Sequence, residues 1–109
     1  MKVAIVGSRS AVSIDIASAL ECRPSEIISG GAVGVDTLAA DYARKNGIKL
    51  TVYPPDYDHY GRRATHVRNR QMVMDADMVI AFWDGKSKGT ESSINQARRQ
   101  GKKLKIVMI

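Results

Sequence analysis

A chain of 109 residues and 11.9 kDa is long enough for one well-packed core and excludes a multidomain machine, so a single domain over residues 1–109 is expected. Its 44% apolar and 26% charged residues suit a globular protein, the longest apolar run (Met78–Trp83) excludes a membrane-spanning helix, and a lone Cys22 excludes an internal disulfide. The net charge of +6 is uneven: residues 1–55 carry six Lys/Arg against five Asp/Glu and residues 56–109 eleven against six, which suits an anionic partner.

The first apolar run, Lys2–Val6, predicts a strand and is too short for a signal-peptide core, which favours a cytosolic location. The turn after it reads Gly7-Ser8-Arg9-Ser10, where a glycine bends the backbone, hydroxyls and N–H groups can donate to an anion, and Arg9 adds a fixed charge. A first helix is expected with Val12, Ile16, Ala19 and Leu20 on one face, ending before Pro24.

Glu26–Ser29 predicts the second strand. The loop Ser29-Gly30-Gly31-Ala32-Val33-Gly34-Val35-Asp36 then leads into a helix marked by Val35, Leu38, Ala39, Tyr42 and Ala43 and stopped at Asn46-Gly47. Three glycines within residues 30–34 leave successive N–H groups free to meet phosphate at a helix N-terminus. Asp36, in the first helical turn, either caps the helix or accepts hydrogen bonds from ribose hydroxyls, and it disfavours a phosphate packed against it. The glycine spacing fits neither a dinucleotide fingerprint nor a P-loop.

Lys49–Tyr53 predicts the third strand, and residues 53–61 a long connection with three tyrosines that suits a lid, a subunit contact or stacking on a base. Asp56, Asp58 and His59 offer metal-ligand atoms but lack a second ligand group, so neither a metal nor a cofactor is expected. Four arginines crowd residues 62–70, around a third helix that includes Val67–Asp75. Arg68 and Arg70 flank Asn69 and stand about 200° apart on that helix, so only one of the two can serve a crevice.

Met78–Phe82 predicts the fourth strand, and Trp83-Asp84-Gly85-Lys86-Ser87-Lys88-Gly89-Thr90-Glu91 follows it. Glycines, hydroxyls and two lysines again precede a helix, expected over about Thr90–Gln100 and closed by Gly101. The plain alternative for both glycine loops is an ordinary turn capped at Asp36 and Thr90. Leu104–Met108 predicts a fifth strand. Apolar runs alternating with helical segments imply a Rossmann-like α/β sandwich with a five-stranded parallel sheet, expected order 3-2-1-4-5, whose switch point between strands 1 and 4 opens a ligand crevice.

Val-Gly-Ser-Arg at 6–9, Ser-Gly-Gly-Ala-x-Gly-x-Asp at 29–36, Arg-Asn-Arg at 68–70 and Phe-Trp-Asp-Gly-x-Ser-x-Gly-Thr at 82–90 resemble, in order and spacing, the small stand-alone proteins of the SLOG superfamily of the YspA-related kind. The resemblance implies a nucleotide or nucleotide-derived phosphorylated ligand across the strand ends, and self-association, with a dimer as the expectation. The site it implies comprises Gly7, Ser8, Arg9, Ser29, Gly30, Gly31, Ala32, Gly34, Asp36, Arg68, Asn69, Arg70, Asp84, Gly85, Ser87, Gly89, Thr90 and Glu91.

Two further likenesses keep other functions open. The loop at 84–93 is similar to that of LONELY GUY phosphoribohydrolases, with Gly89 and Thr90 matching. Ser93 stands in place of their catalytic glutamate, while Glu91 comes two positions early and is turned by about 200°. N-glycosidic hydrolysis would therefore draw its carboxylate from Glu91 or Asp36. Residues 29–36 and 68–70 also resemble DprA, which implies single-stranded DNA as an alternative partner, although 6% aromatics favour a single pocket over an extended stacking surface.

Overall fold

The computed structural model describes residues 1–109 and contains β1 (Lys2–Gly7), α1 (Ile16–Ala19), β2 (Glu26–Ser29), α2 (Val35–Lys45), β3 (Lys49–Val52), α3 (Tyr57–Tyr60), α4 (Ala64–Asp75), β4 (Met78–Trp83), α5 (Lys88–Arg99) and β5 (Lys103–Met108). A 3-10 turn at Gly61–Arg63 leads into α4. The strands form one parallel sheet in the order β3-β2-β1-β4-β5, as expected for a Rossmann-like fold. β1 lies at its centre, with Ala4 paired to Ile28 on one side and Val79 on the other.

Apolar runs in the central strands follow from burial on both faces, because consecutive side chains point to opposite sides of the sheet. Val3, Ile5, Ile27, Ile80 and Phe82 pack against Val35, Ala39 and Ala43 of α2 and Ile16 and Ala19 of α1. Ala4, Val6, Ile28, Val79 and Ala81 face the other way, onto Met72 and Val73 of α4 and Ile94 and Ala97 of α5. Helices therefore cover both faces of the sheet. No helix is long and apolar enough to cross a membrane.

The first crossover departs from expectation. The side chain of Asp15 accepts a hydrogen bond from the Ser18 N–H at 3.0 Å, so α1 starts only at Ile16, and Leu20 is already extended. Val12 lies outside the helix and is 89% exposed. The tyrosine-rich connection holds an extra helical turn, α3, because Asp56 caps it by accepting from the His59 N–H at 3.0 Å.

Helix ends follow their signals more closely. Beyond α2, the Ile48 N–H reaches back to the Ala43 carbonyl across Gly47 (φ +64°); beyond α5, Lys102 reaches Ala97 across Gly101 (φ +66°). Gly34, before α2, carries a heavier constraint: at φ +77° and ψ −125°, an added Cβ would stand 2.5 Å from the carbonyl oxygens of both Ser8 and Arg9. Gly101 has nothing within 4 Å. Urea denaturation should therefore show Gly101→Ala losing about 1 kcal/mol, the cost of a left-handed non-glycine residue. Gly34→Ala should lose roughly 3 kcal/mol, since steric overlap adds to backbone strain. Equal losses would refute the close packing of these loops.

Candidate functional site

The carboxyl ends of β1, β2 and β4 open into a cleft of about 480 Å³, whose only apolar side chains are Val6, Ala32 and Met72. That volume is in the range of small-molecule sites, and the polar lining suits a polar ligand. Ser8 ties the cleft floor together. Its N–H donates to the Phe82 carbonyl at 3.1 Å, its carbonyl accepts from Val35 N–H at 3.3 Å, and its Oγ accepts from Asp84 N–H at 3.3 Å.

The two helix N-termini that face the cleft differ. At α2, the Val35 N–H is taken by Ser8 and the Ala32 N–H by the Asp36 carboxylate at 3.0 Å, while the Gly31 N–H meets Ser29 Oγ. The loop thus closes partly on itself and already holds a carboxylate, while the Asp36 and Thr37 N–H groups of the first turn have no acceptor within the protein. At α5, Ser87 rather than Thr90 is the cap, so the helix begins at Lys88, two residues before the expected start, and Gly89, Thr90 and Glu91 lie in its first turn. The Lys88 and Gly89 N–H groups have no acceptor within the protein. A Cβ on Gly89 would meet nothing within 4 Å.

Opposite them stands Arg68, whose Nη1 donates to the carbonyls of Gly30 at 2.7 Å and Tyr53 at 3.3 Å while its Nε donates to Asn69 Oδ1 at 2.8 Å. Gly30 is bare for a reason: a Cβ there would be 2.6 Å from Arg68 Nη1 and 3.1 Å from Asp36 Oδ2. The guanidinium and the carboxylate share the space over its backbone. Burial holds the Asp36 carboxyl above its ordinary range, opposed by the Ala32 hydrogen bond and by the Arg68 charge. Burial also lowers the Arg68 pKa, opposed by Asp36. Asp84 is held below the usual carboxylate range by hydrogen bonds from the Lys86 and Ser87 N–H groups, and so stays ionised.

Of the residues picked out in the sequence, Gly7, Ser8, Arg9, Gly30, Ala32, Asp36, Arg68, Asn69, Asp84, Ser87, Gly89 and Thr90 line the cleft. Ser29, Gly31, Gly34, Arg70, Gly85 and Glu91 do not. Ser29 is buried beneath the loop, and Gly31, Gly34 and Gly85 shape turns at positive φ. Arg70 is exposed on α4, the half-turn from Arg68 that helical geometry requires. Glu91 points into a different groove, between α4 and α5, which removes it as a carboxylate for the cleft. Ser10, Thr65 and Ser93 line the cleft without having been singled out as site residues. Thr65 precedes Arg68 by three positions and Ser93 follows Thr90 by three, so helical spacing was the signal for both.

The comparisons bear on this cleft. Residues 1–60, which contain the first two of its loops, match the YAcAr family, described as the YspA, cpYpsA-related SLOG family. The chain belongs to that SLOG family. It is also similar to the Gene 61 protein of Mycobacterium phage D29, 33% identical over 81 residues that cover 69% of this chain. The match spans 65% of that relative's length. No solved structure matches.

One consequence for this SLOG cleft follows from the buried carboxylate. Because the folded state holds the Asp36 proton more tightly than the unfolded chain does, ionisation of Asp36 opposes folding. Asp36→Asn, which retains an oxygen for the Ala32 N–H, should raise the thermal midpoint at pH 7. The gain should be full above the raised Asp36 pKa and shrink as pH falls towards the ordinary carboxylate range. A pH series of melting curves checks this, and an Asn variant that is less stable at pH 7 would contradict it.

Proposed function

We propose that residues 1–109 act as one SLOG domain that binds a phosphorylated nucleoside in the cleft, with the phosphate at the N-terminus of α5 and sugar hydroxyls at Asp36. SLOG membership supports a nucleotide-related ligand-binding function in general terms. The finer reading rests on one observation: Gly89 offers open space beside two N–H groups without acceptors, at the positive end of a twelve-residue helix. Ser93, whose residue is buried, lines the same cleft. The α2 end is suited to the opposite chemistry, since a carboxylate accepts from sugar hydroxyls and repels phosphate.

Arg68 is held by two carbonyls and by Asn69, so its remaining Nη2 donors are fixed in direction without being consumed. Arg9, exposed at the cleft, adds a second cation.

Gly89→Ala separates fold from binding. Alanine in this open helical position should leave stability unchanged or raise it by up to about 1 kcal/mol. The same methyl would occupy the space proposed for phosphate, and nucleotide affinity measured by calorimetry should fall at least tenfold. A panel of nucleoside mono-, di- and triphosphates and ADP-ribose compounds that gives no thermal shift with the parent protein would overturn the reading. So would an unchanged affinity in Gly89→Ala.

A further inference from the structure

The positive charge of this protein is carried by one layer. Residues 61–75 and 86–102, which contain α4 and α5, hold nine Lys/Arg and two Asp/Glu, a net +7, whereas the rest of the chain holds eight and nine, a net −1. Arg62, Arg63, Arg70, Lys86, Lys88, Arg98 and Arg99 are exposed, and none of them forms a salt bridge. The three salt bridges use Arg44, Lys49 and Lys103, all outside these segments. The α4–α5 layer therefore has almost no counter-charge of its own.

The two helices meet in a groove of about 210 Å³ that contains no apolar side chain and is lined by His66, Lys88, Ser92, Asn95 and Arg99, with Glu91 its one carboxylate. His66 Nδ1 lies 3.4 Å from Ser92 Oγ, the Gln100 amide reaches the Arg70 carbonyl, and Lys102 Nζ reaches the Met74 carbonyl at 3.1 Å. These contacts mark a seam running the length of both helices, about 18 Å for twelve residues. Lys88 and Arg99 edge the groove, Ser92, Asn95 and Gln96 supply neutral polar groups, and Glu91 is the only acid there.

We propose that this seam is a docking surface for the phosphodiester backbone of a nucleic acid. A polyanion matches a layer of exposed, unpaired cations around a groove with Lys88, Arg99 and amide and hydroxyl donors, the groups with which proteins hold phosphates without reading bases. The absence of apolar lining argues against a protein partner, whose interface core is built from aromatic and apolar anchors. It also argues against a membrane, since stable attachment needs an apolar face or a lipid as well as charge. The seam is distinct from the cleft, and the proposal does not depend on nucleotide binding there.

Fluorescence anisotropy with a labelled single-stranded oligonucleotide and a duplex of equal length, over 50–200 mM salt, tests it with the full chain. The parent protein should bind at least one of the two. Lys88→Glu/Arg99→Glu should weaken binding at least tenfold at 100 mM salt, whereas Arg44→Glu/Lys45→Glu on α2, with the same charge change, should weaken it less than threefold. The milder Lys88→Gln/Arg99→Gln should flatten the plot of log affinity against log salt by about 1.4, at about 0.7 per lost contact with a single strand. Melting curves of each variant would establish that it is folded. Equal losses in the α2 and seam variants, no binding at 50 mM salt, or equal and equally variant-sensitive binding to vesicles rich in anionic lipid would each overturn the proposal.

Discussion

Three separate loops must hold still for the cleft to exist, and the backbone of Ser8 is where they are joined. Leaving β1, the Ser8 N–H is bonded to Phe82 of β4, its carbonyl accepts from the first residue of α2, and its hydroxyl accepts from Asp84. A residue only 1% exposed thereby links elements separated by as many as 76 positions in sequence. The neighbouring glycines are consequences of this junction. An added Cβ on Gly7 would stand 2.5 Å from the Phe82 carbonyl oxygen and from Val35 Cγ2, and one on Gly34 would meet the Ser8 carbonyl. These two glycines serve packing of the floor, whereas Gly89 leaves space empty.

That distinction separates two loops that look alike as sequence. Both are glycine-rich, both precede a helix and both leave first-turn N–H groups without an acceptor, yet only the α2 loop closes on a carboxylate, that of Asp36. The cleft is consequently polar in a directional sense, with a carboxylate acceptor at the α2 side and donors beside open space at the α5 side. Arg68 lies close to both the Gly30 backbone and the Asp36 carboxylate, and neutralises part of the charge that burial disfavours. Burial works against an ionised carboxylate in that position, a pattern common at binding sites.

Strand number and both helix-covered faces were legible because a centrally placed parallel strand needs apolar residues at every position, and Val3–Val6 and Met78–Phe82 supply them; the strand order followed from the expected fold, not from spacing. Most of the cleft lining followed, since residues after parallel strands converge at one end of the sheet. What was not legible depended on single side-chain hydrogen bonds. Asp15 shortened α1, Asp56 created α3, and Ser87 moved the start of α5 forward by two residues. The last of these settles the direction of Glu91. With the helix starting at Lys88, Thr90 and Ser93 share the buried face and Glu91 turns outward.

The same helical phase accounts for the charged layer. Once Thr90, Ser93, Ile94 and Ala97 are committed to the interior, Lys88, Glu91, Asn95, Arg98 and Arg99 must lie outside. On α4, packing of Met72 and Val73 and the inward reach of Arg68 leave His66 and Arg70 outside. Helix solubility requires polar residues at such positions but not residues of one sign, and alternating signs would have gained the small benefit of surface ion pairs. The opposite layer shows that balance: segments 8–25 and 30–48, which contain α1 and α2, carry four Lys/Arg and four Asp/Glu. Net charge serves solubility wherever it lies on the surface, so its confinement to one layer without partners is the feature left over, and the repulsion among its members is a cost that an external polyanion would remove.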